Sequence, residues 1–505
     1  MRAIAVGLGL LSLVVCGLAC EMSMSRAPME QALEGEALPP GMNTESYSRI
    51  DENPFEDPKL APLSTFGIDV DTASYSNVRR FLTEGQRPPK DAVRLEELIN
   101  YFPYHDAPPT DGKPFAVTAD VFGCAWAKAH RLVRIGLKGR ELPPSQRPPA
   151  NLVFLIDVSG SMFEPNKLPL AKRALRLLVD QMRSDDHIAL VVYAGNAGLV
   201  LPPTSGSNKA QIADAIDRLE AGGSTAGAAG IELAYQTAQA AFIPGGVNRV
   251  ILATDGDWNV GVSDDGSLTR LIEEKAKGGV FLTVLGFGMG NYKDSKMQQL
   301  ADHGNGNYGY IDNIAEARKL LVEQAAGTLV TIAKDVKVQV EFNPAQVSAY
   351  RLIGYEKRAL RARDFNDDTK DAGELGAGHT VTALYEVVPT GTSAELPPVD
   401  ALRYQKSNVV RSDELMTLKL RYKQPEGATS ELLAYAVHDD GGDHPSADAR
   451  FAAAVAEWGL LLRDSPNKGA ATMADVIDRA SATAGNDTYR QEFVELVKKS
   501  AALAK

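Results

Sequence analysis

The sequence predicts a doubly wound, Rossmann-like α/β domain inserted into an antiparallel β-sandwich, with helical segments on either side. Three observations lead to this prediction. Between residues 150 and 328, apolar runs typical of buried parallel strands alternate with amphipathic helical stretches. Residues 115–145 and 335–440 instead alternate apolar and polar positions, as strands with one buried face do. After residue 447 the apolar residues return to helical spacing.

The composition is that of a globular protein large enough for several domains. The chain has 505 residues, of which 44% are hydrophobic and 23% are charged, and its formal net charge is −12. An acidic balance argues against general nucleic-acid binding, which needs a basic face. We therefore expect no nucleic-acid partner.

The first 20 residues have the pattern of a secretory signal peptide. A short basic start precedes an apolar run, residues 3–15, that is too short to span a membrane comfortably. The small residues before Cys20 resemble the cleavage motif of bacterial lipoproteins, which implies that Cys20 carries the lipid. Cys16 is a competing site, and plain secretion is the alternative. The resemblance implies export and anchoring in the bacterial cell envelope; Glu21, in place of Asp, favours the outer membrane or its periplasmic face.

Two segments separate the signal peptide from the alternating strands. Residues 21–61 are rich in Pro, Glu, Ser and Met without an apolar period, and are predicted to form a disordered tether. Residues 62–114 contain two short helical patterns, the first beginning at Ala73. We interpret Asp71 or Thr72, just before that helix, as its N-cap.

The central and C-terminal segments follow. Because the two ends of a compact insert lie close together, the strands of residues 115–145 and 335–440 are predicted to form one β-sandwich around the α/β domain of residues 150–328. Residues 447–505 are predicted to be helical, and Cys124 is interpreted as a buried structural thiol. Within the α/β domain we predict strands at residues 152–157, 188–193, 199–201, 250–255, 280–287 and 307–311, and helices at 167–182, 209–219, 230–241, 268–277, 293–301 and 315–326.

Oxygen-bearing side chains follow the first buried strand of the α/β domain. The strand ends at Asp157, and Ser159 and Ser161 come next at alternate positions. Ligands of open α/β sheets bind beyond the carboxyl ends of the strands. One carboxylate and two hydroxyls at that place suit Mg²⁺ or Mn²⁺. Thr225, after a Gly-rich turn, and Asp255, at the end of another buried strand, have the chemistry to join this site.

These three elements, a D-x-S-x-S turn, a Thr after Gly-Gly-Ser and an Asp in a Thr-Asp-Gly turn, resemble the metal-ion-dependent adhesion site of von Willebrand factor type A (VWA) domains. Other stretches extend the resemblance to the YfbK-type VWA lipoproteins; they include LSTFGIDVDTASYSNVRRFL, HRLVRIGLKGRE and FAAAVAEWGLLLRDS. The resemblance implies that one divalent cation, Mg²⁺ with Mn²⁺ or Ca²⁺ as alternatives, is held by Asp157, Ser159, Ser161, Thr225 and Asp255. It also implies that the serines bind the metal directly and that the threonine enters or leaves with conformational state.

The expected function is protein binding. A metal with few charged ligands and one open position favours an acidic side chain, so the partner would be bound through a metal-bridged carboxylate. Two alternatives remain open: a scaffold of an envelope complex in which the metal is secondary, and a metal-dependent hydrolase. We expect that the protein is not an enzyme. The sequence lacks the Gly-Lys-Ser/Thr ending of a P-loop, an H-E-x-x-H motif and an evident nucleophile–base pair.

Overall fold

The computed structural model describes residues 44–223, 227–256, 265–370, 372–392 and 409–503. The predicted signal peptide with Cys20, and residues 21–43 of the predicted tether, lie outside these ranges. Thr225 also lies outside them. The prediction of disorder is wrong for residues 44–61, because this stretch is bonded to the folded part: Glu56 exchanges backbone hydrogen bonds with Tyr350 at 2.8 and 3.0 Å.

The N-terminal segment contributes strands as well as helices. Its elements are β1 (Leu63–Gly67), α1 (Ala73–Thr83), α2 (Leu95–Asn100), β2 (Phe115–Gly123) and β3 (Arg131–Gly139). The sequence had not indicated β1, which is short and has its partner strand far along the chain. Thr72, one of the two predicted N-cap residues, occupies the N-cap position of α1, but its side chain makes no capping hydrogen bond. Asp71 is not the cap: its Oδ1 accepts a hydrogen bond from the backbone N–H of Tyr308 at 2.8 Å.

The central segment forms the predicted doubly wound sheet. Its strands lie in the order β6-β5-β4-β7-β8-β9, and all neighbours are parallel except β5 and β6. The residues of β4 are all buried and alternate between two cores: Phe154 packs with the α3 side and Leu155 with the α5 side. The strands are β4 (Ala150–Asp157), β5 (His187–Tyr193), β6 (Ala197–Ser205), β7 (Val247–Thr254), β8 (Phe281–Phe287) and β9 (Tyr308–Ile311). The helices are α3 (Leu168–Asp180), α4 (Lys209–Asp217), α5 (Gly227–Ala240), α6 (Asp265–Lys277), α7 (Asp294–His303), α8 (Ile314–Arg318) and α9 (Ala325–Leu329), with a π-helical turn at Lys319–Glu323.

The strands after the α/β domain complete two antiparallel sheets. They are β10 (Thr331–Phe342), β11 (Val347–Ile353), β12 (Ala359–Leu360), β13 (Leu375–Gly376), β14 (Thr380–Pro389), β15 (Glu414–Lys423) and β16 (Ser430–His438). One sheet has the order β12-β1-β10-β15-β16, with β13 also on β10, and the other has the order β11-β14-β3-β2. Strands from both sides of the α/β domain therefore pair directly, as in Val133 opposite Tyr385 and Phe66 opposite Val338. The predicted insertion of an α/β domain into an antiparallel sandwich is confirmed.

The C-terminal segment is helical, as predicted. It consists of α10 (Ala447–Arg463), α11 (Met473–Ala484) and α12 (Thr488–Leu503). Ser446 and Thr472 cap α10 and α11 by accepting backbone hydrogen bonds. Helix α10 is buried almost all round, in a second core that also contains Cys124, which is buried as predicted. Across the described ranges, every helix falls short of the length and apolar character needed to cross a bilayer.

Candidate metal centre

The fold brings Asp157 and Asp255 to the same edge of the central sheet. Strands β4 and β7 are parallel neighbours, with Ile156 opposite Ala253, so their carboxyl ends lie side by side. Asp157 ends β4 and Asp255 follows β7 by one residue. Both residues are fully buried. Two buried carboxylates at one sheet edge need cationic or hydrogen-bonding partners.

Hydrogen bonds fix the carboxylate of Asp157. Its Oδ1 accepts from the backbone N–H of Ser159 at 2.9 Å. Its Oδ2 accepts from Tyr193 Oη at 3.0 Å and from Thr254 Oγ1 at 3.1 Å. Burial raises the pKa of the Asp157 carboxyl; the charge of Asp255 adds to this shift, and the hydrogen bonds to Ser159 oppose it. A divalent cation between the two carboxylates would favour their ionised forms.

The two serines have the spacing of neighbouring metal ligands. Ser159 Oγ and Ser161 Oγ lie 3.0 Å apart. An octahedral Mg²⁺ site with ligands at about 2.1 Å has adjacent oxygens about 3.0 Å apart. The pair therefore fits one edge of such an octahedron, and the oxygen donor set matches a hard cation.

The loop that leads to Thr225 is tied to the same turn. The N–H of Gly222 donates to the carbonyl of Val158 at 2.7 Å, and the N–H of Gly160 donates to the carbonyl of Gly223 at 3.1 Å. Gly223 has φ of +85°, a left-handed conformation that favours glycine. The chain is thus held against the Asp157 turn up to the last described residue before Thr225.

Lys167 reaches Asp255 from the start of α3. Its Nζ lies 2.9 Å from Asp255 Oδ2 and 3.2 Å from Asn291 Oδ1, and Asn291 Nδ2 donates to the same carboxylate oxygen at 3.0 Å. Lys167 is buried. Gly288, with φ of +76°, makes room for it, because a Cβ there would come within 2.5 Å of the lysine side chain.

The sequence matches known families along most of its length. Residues 41–134 match the family described as von Willebrand factor, residues 151–324 match the von Willebrand factor type A domain, and residues 327–503 match "Uncharacterized protein YfbK, C-terminal". Uncharacterized protein YfbK of Escherichia coli K12 is 44% identical over 467 residues, which are 90% of this chain and 80% of that relative. This chain belongs to the YfbK family.

Other relatives are less similar to this YfbK-family chain. Protein sll0103 of Synechocystis is 31% identical over 191 residues, 37% of this chain and 44% of that protein. Among solved structures, a von Willebrand factor type A protein from Catenulispora acidiphila is 16% identical with a TM-score of 0.42, covering 77% of this chain and 91% of the other.

In the YfbK-family chain, four of the five predicted site residues lie within the described ranges. Asp157, Ser159 and Ser161 share one turn, and Asp255 follows the adjacent strand. In the described part of the chain, no group of three or more His, Cys, Asp and Glu side chains forms a metal cluster. A metal at this edge would therefore depend on serine hydroxyls as well as carboxylates.

Sequence reasoning missed the groups that support these carboxylates in the YfbK-family chain. Tyr193 ends β5, the strand beside β4, and Thr254 immediately precedes Asp255; both positions were available as signals, since neighbouring strand ends share an edge. Lys167 and Asn291 had no such signal, because only the tertiary fold brings them to Asp255.

Proposed function

We propose that this protein is an envelope-anchored binding protein whose metal centre holds an acidic side chain of a partner protein. The proposal rests on one observation above all: the Ser159–Ser161 hydroxyl pair, at octahedral spacing, follows the buried and hydrogen-bonded Asp157 at the carboxyl edge of a VWA sheet. A bound divalent cation, Mg²⁺ first and Mn²⁺ or Ca²⁺ as alternatives, would supply an electrophilic position for a carboxylate.

The residues of the centre have distinct parts in this proposal. Ser159 and Ser161 hold the cation directly, and Asp157 and Asp255 do so directly or through water. Thr225 joins or leaves with conformational state. Tyr193 and Thr254 keep the Asp157 carboxylate in place by donating to its Oδ2. Such an arrangement needs no covalent step, and we propose no enzymatic activity.

Exposed apolar side chains next to the centre support a protein partner. Phe163, two residues after Ser161, is 76% exposed. Met289 follows β8, whose carboxyl end lies at the same sheet edge, and is 44% exposed. Large exposed apolar groups are common where proteins bind one another. A partner carboxylate would thus approach between apolar contacts.

We further propose that the chain is exported, that residues 1–20 are removed as a signal peptide, and that Cys20 is the lipidated residue. Residues 21–43 would then tether the folded part to the envelope. Replacing Cys20 with serine should move the protein from the membrane fraction to the soluble fraction of lysed cells. Retention in the membrane fraction would contradict lipidation at Cys20.

The binding function is tested by affinity capture from envelope extract with the full chain as bait. We expect a partner to be retained in Mg²⁺ and lost in EDTA or with Asp157→Ala. Asp185→Ala, which removes an exposed carboxylate paired with Arg183, is the matched control and should capture as the wild type does. Calorimetric titration with Mg²⁺ should show binding to the wild type and to the control, and none to Asp157→Ala.

One observation favours the scaffold alternative, in which the metal is secondary. Lys167 already supplies a positive charge to Asp255. Equal capture in Mg²⁺, in EDTA and with Asp157→Ala would support that alternative and contradict metal-bridged recognition.

A further inference from the structure

A cavity lies at the end of the central sheet opposite to the metal centre. Its volume is about 240 Å³. The α/β domain lines it with Arg249, near the start of β7, and with Asn305 and Asn307, before β9. The sandwich lines it with Thr331 and Leu360 among others. The cavity therefore lies where the inserted domain meets the sheets that surround it.

Arg249 lines this cavity without a carboxylate partner. It is 2% exposed, and its Nη1 donates to Thr283 Oγ1 at 2.7 Å and to Asn307 Oδ1 at 3.4 Å. Both acceptors are neutral. Its buried Nε has no hydrogen-bond partner, and among the described residues no carboxylate lies within ion-pair distance of its guanidinium. The centroid of the Phe281 ring lies 5.7 Å from the guanidinium carbon of Arg249.

A second arginine that lines the same cavity, Arg358, does have carboxylate partners. Arg358 lies 3.2 Å from Asp69, 2.8 Å from Asp302 and 3.6 Å from Asp71. Asp69 and Asp302 line the cavity as well, so their charges are already opposed by Arg358. Arg358 thus has carboxylate partners, whereas Arg249 has none among the described residues.

The environment of Arg249 is costly for a cation. Burial lowers the pKa of its guanidinium to about 10, and the charge of Glu374, another lining residue, opposes this shift. Buried guanidinium groups are normally matched by carboxylates or phosphates, which bind their N–H groups in pairs. Arg249 lines the cavity and has an Nε–H without a hydrogen-bond partner, so its guanidinium has donor capacity left for such a ligand.

We propose that this cavity binds a small oxyanion, a carboxylate or phosphate group, through Arg249. Because the carboxylate of Glu374 also lines the cavity, a ligand that carries a hydroxyl or ammonium group beside its anionic group would be repelled less by it. Hydroxy acids, amino acids and hydrogen phosphate have this combination. The ligand would contact both the inserted domain and the sandwich, at a site separate from the metal centre.

Isothermal titration calorimetry of the full chain tests the proposal. Sodium phosphate and sodium glycolate are titrated in EDTA, which keeps metal from the other site, with ionic strength held constant by sodium chloride. We expect saturable binding of at least one anion, with the two titrations distinguishing phosphate from carboxylate. Arg249→Gln should weaken binding at least tenfold, whereas Arg176→Gln, which removes an exposed arginine, should not. Absence of saturable binding to the wild type, or equal binding to Arg249→Gln, would overturn the proposal.

A second measurement uses the wild-type protein alone, so its result does not depend on whether a variant folds. Hydrogen–deuterium exchange of the wild type, with and without the bound anion, should show slower exchange in peptides that cover residues 303–307 and 372–376. Unchanged exchange in both peptides would also overturn the proposal.

Discussion

The two ends of β7 hold buried cations in opposite circumstances. At the carboxyl end, Lys167 Nζ lies 2.9 Å from the carboxylate of Asp255. Near the start of the same strand, the described residues offer the Arg249 guanidinium the neutral oxygens of Thr283 and Asn307 and no carboxylate within ion-pair distance. Both cations are more than nine-tenths buried, so solvent screens neither charge well.

The difference indicates what each end of the strand can accept. Beside Asp255 the chain supplies its own cation, the ammonium group of Lys167. A metal ion must therefore compete with this ammonium group for the Asp255 carboxylate. At Arg249 the chain leaves a positive charge without a carboxylate, and an anion from solution can meet it. Buried charges that are paired are costly to break, whereas unpaired ones are costly to keep. Variants at the two ends should therefore change stability in opposite directions.

The largest expected effect is the loss of Asp255. In EDTA, Asp255→Ala leaves Lys167 buried without its carboxylate, and we expect the free energy of unfolding to fall by about 3 to 5 kcal/mol. Urea denaturation followed by circular dichroism measures it. Asp185→Ala, which removes an exposed carboxylate, is the control and should change stability by less than about 0.5 kcal/mol. A loss below about 1 kcal/mol for Asp255→Ala would show that the Lys167 pair contributes little.

The next prediction concerns Arg249 itself. In chloride buffer without a ligand, Arg249→Met should stabilise the protein by about 1 kcal/mol, since it removes a buried charge that has no carboxylate partner. Arg358→Met, which leaves its carboxylate partners unmatched in the same cavity, should instead destabilise by about 3 kcal/mol. Destabilisation of similar size in both variants would contradict the proposed difference between the two arginines.

Lys319 is a third buried cation and extends the comparison. Its Nζ donates to the carbonyl of Tyr101 and lies over the rings of Tyr101 and Tyr489. Burial lowers the pKa of its ammonium group to about 7, with Glu316 opposing the shift and Arg79 adding to it. In how well its charge is matched, Lys319 is intermediate between Lys167 and Arg249. It has a carbonyl and two aromatic rings in contact and feels the charge of Glu316.

The cost of burying the Lys319 charge can be measured through the pH dependence of the free energy of unfolding. The unfolded chain, in which the lysine pKa is about 10.4, binds more protons than the folded chain between pH 7 and pH 9. Stability contributed by this site should therefore rise with pH across that window, by about 2 kcal/mol. The difference in free energy of unfolding between wild type and Lys319→Met should show this rise. A difference that stays constant from pH 7 to pH 9 would indicate that Lys319 is not desolvated.

The last prediction concerns metal affinity. Lys167→Met removes a positive charge from Asp255, so Mg²⁺ should bind about tenfold more tightly, or by about 1.4 kcal/mol. Calorimetry measures it. Lys172→Met removes the same charge from α3 at a position where the ammonium binds the carbonyls of Asp217 and Leu219, and should leave affinity unchanged. Unchanged or weaker Mg²⁺ binding by Lys167→Met would contradict competition between the ammonium and the metal.

Much of the fold could be predicted because its signals are local. The apolar runs that become β4 and β7 are buried on both faces, and the helices between them are amphipathic, so periodicity alone indicated a doubly wound sheet. Strand β1 escaped detection because five residues give too short a pattern, and its partner β10 begins far along the chain. Asp71, the alternative to Thr72 as the N-cap of α1, instead accepts a hydrogen bond from the backbone N–H of Tyr308, a distant contact that the local rule for N-caps does not indicate.

The candidate site divides in the same way. Asp157, Ser159 and Ser161 were recognisable because they occupy one short turn after a strand, and Asp255 because it follows another strand end. Thr225 lies outside the described residues and stays a prediction. Lys167 and Arg249 were not, since a buried lysine or arginine has no sequence spacing that distinguishes it from an exposed one. Their significance depends on which groups the fold places around them.

The pairing of β1 and β3 with strands beyond the α/β domain also has a consequence for vectorial synthesis. Phe66 needs Val338, and Val133 needs Tyr385, before either pair of strands can form. The inserted domain has all its strands between those partners, so it is complete while the sandwich still lacks β10 and β14. A growing chain would therefore fold its middle first and close the surrounding sheets last. Until then β1 and β3 remain without their later partners, and this interval is when the nascent protein most needs protection from aggregation.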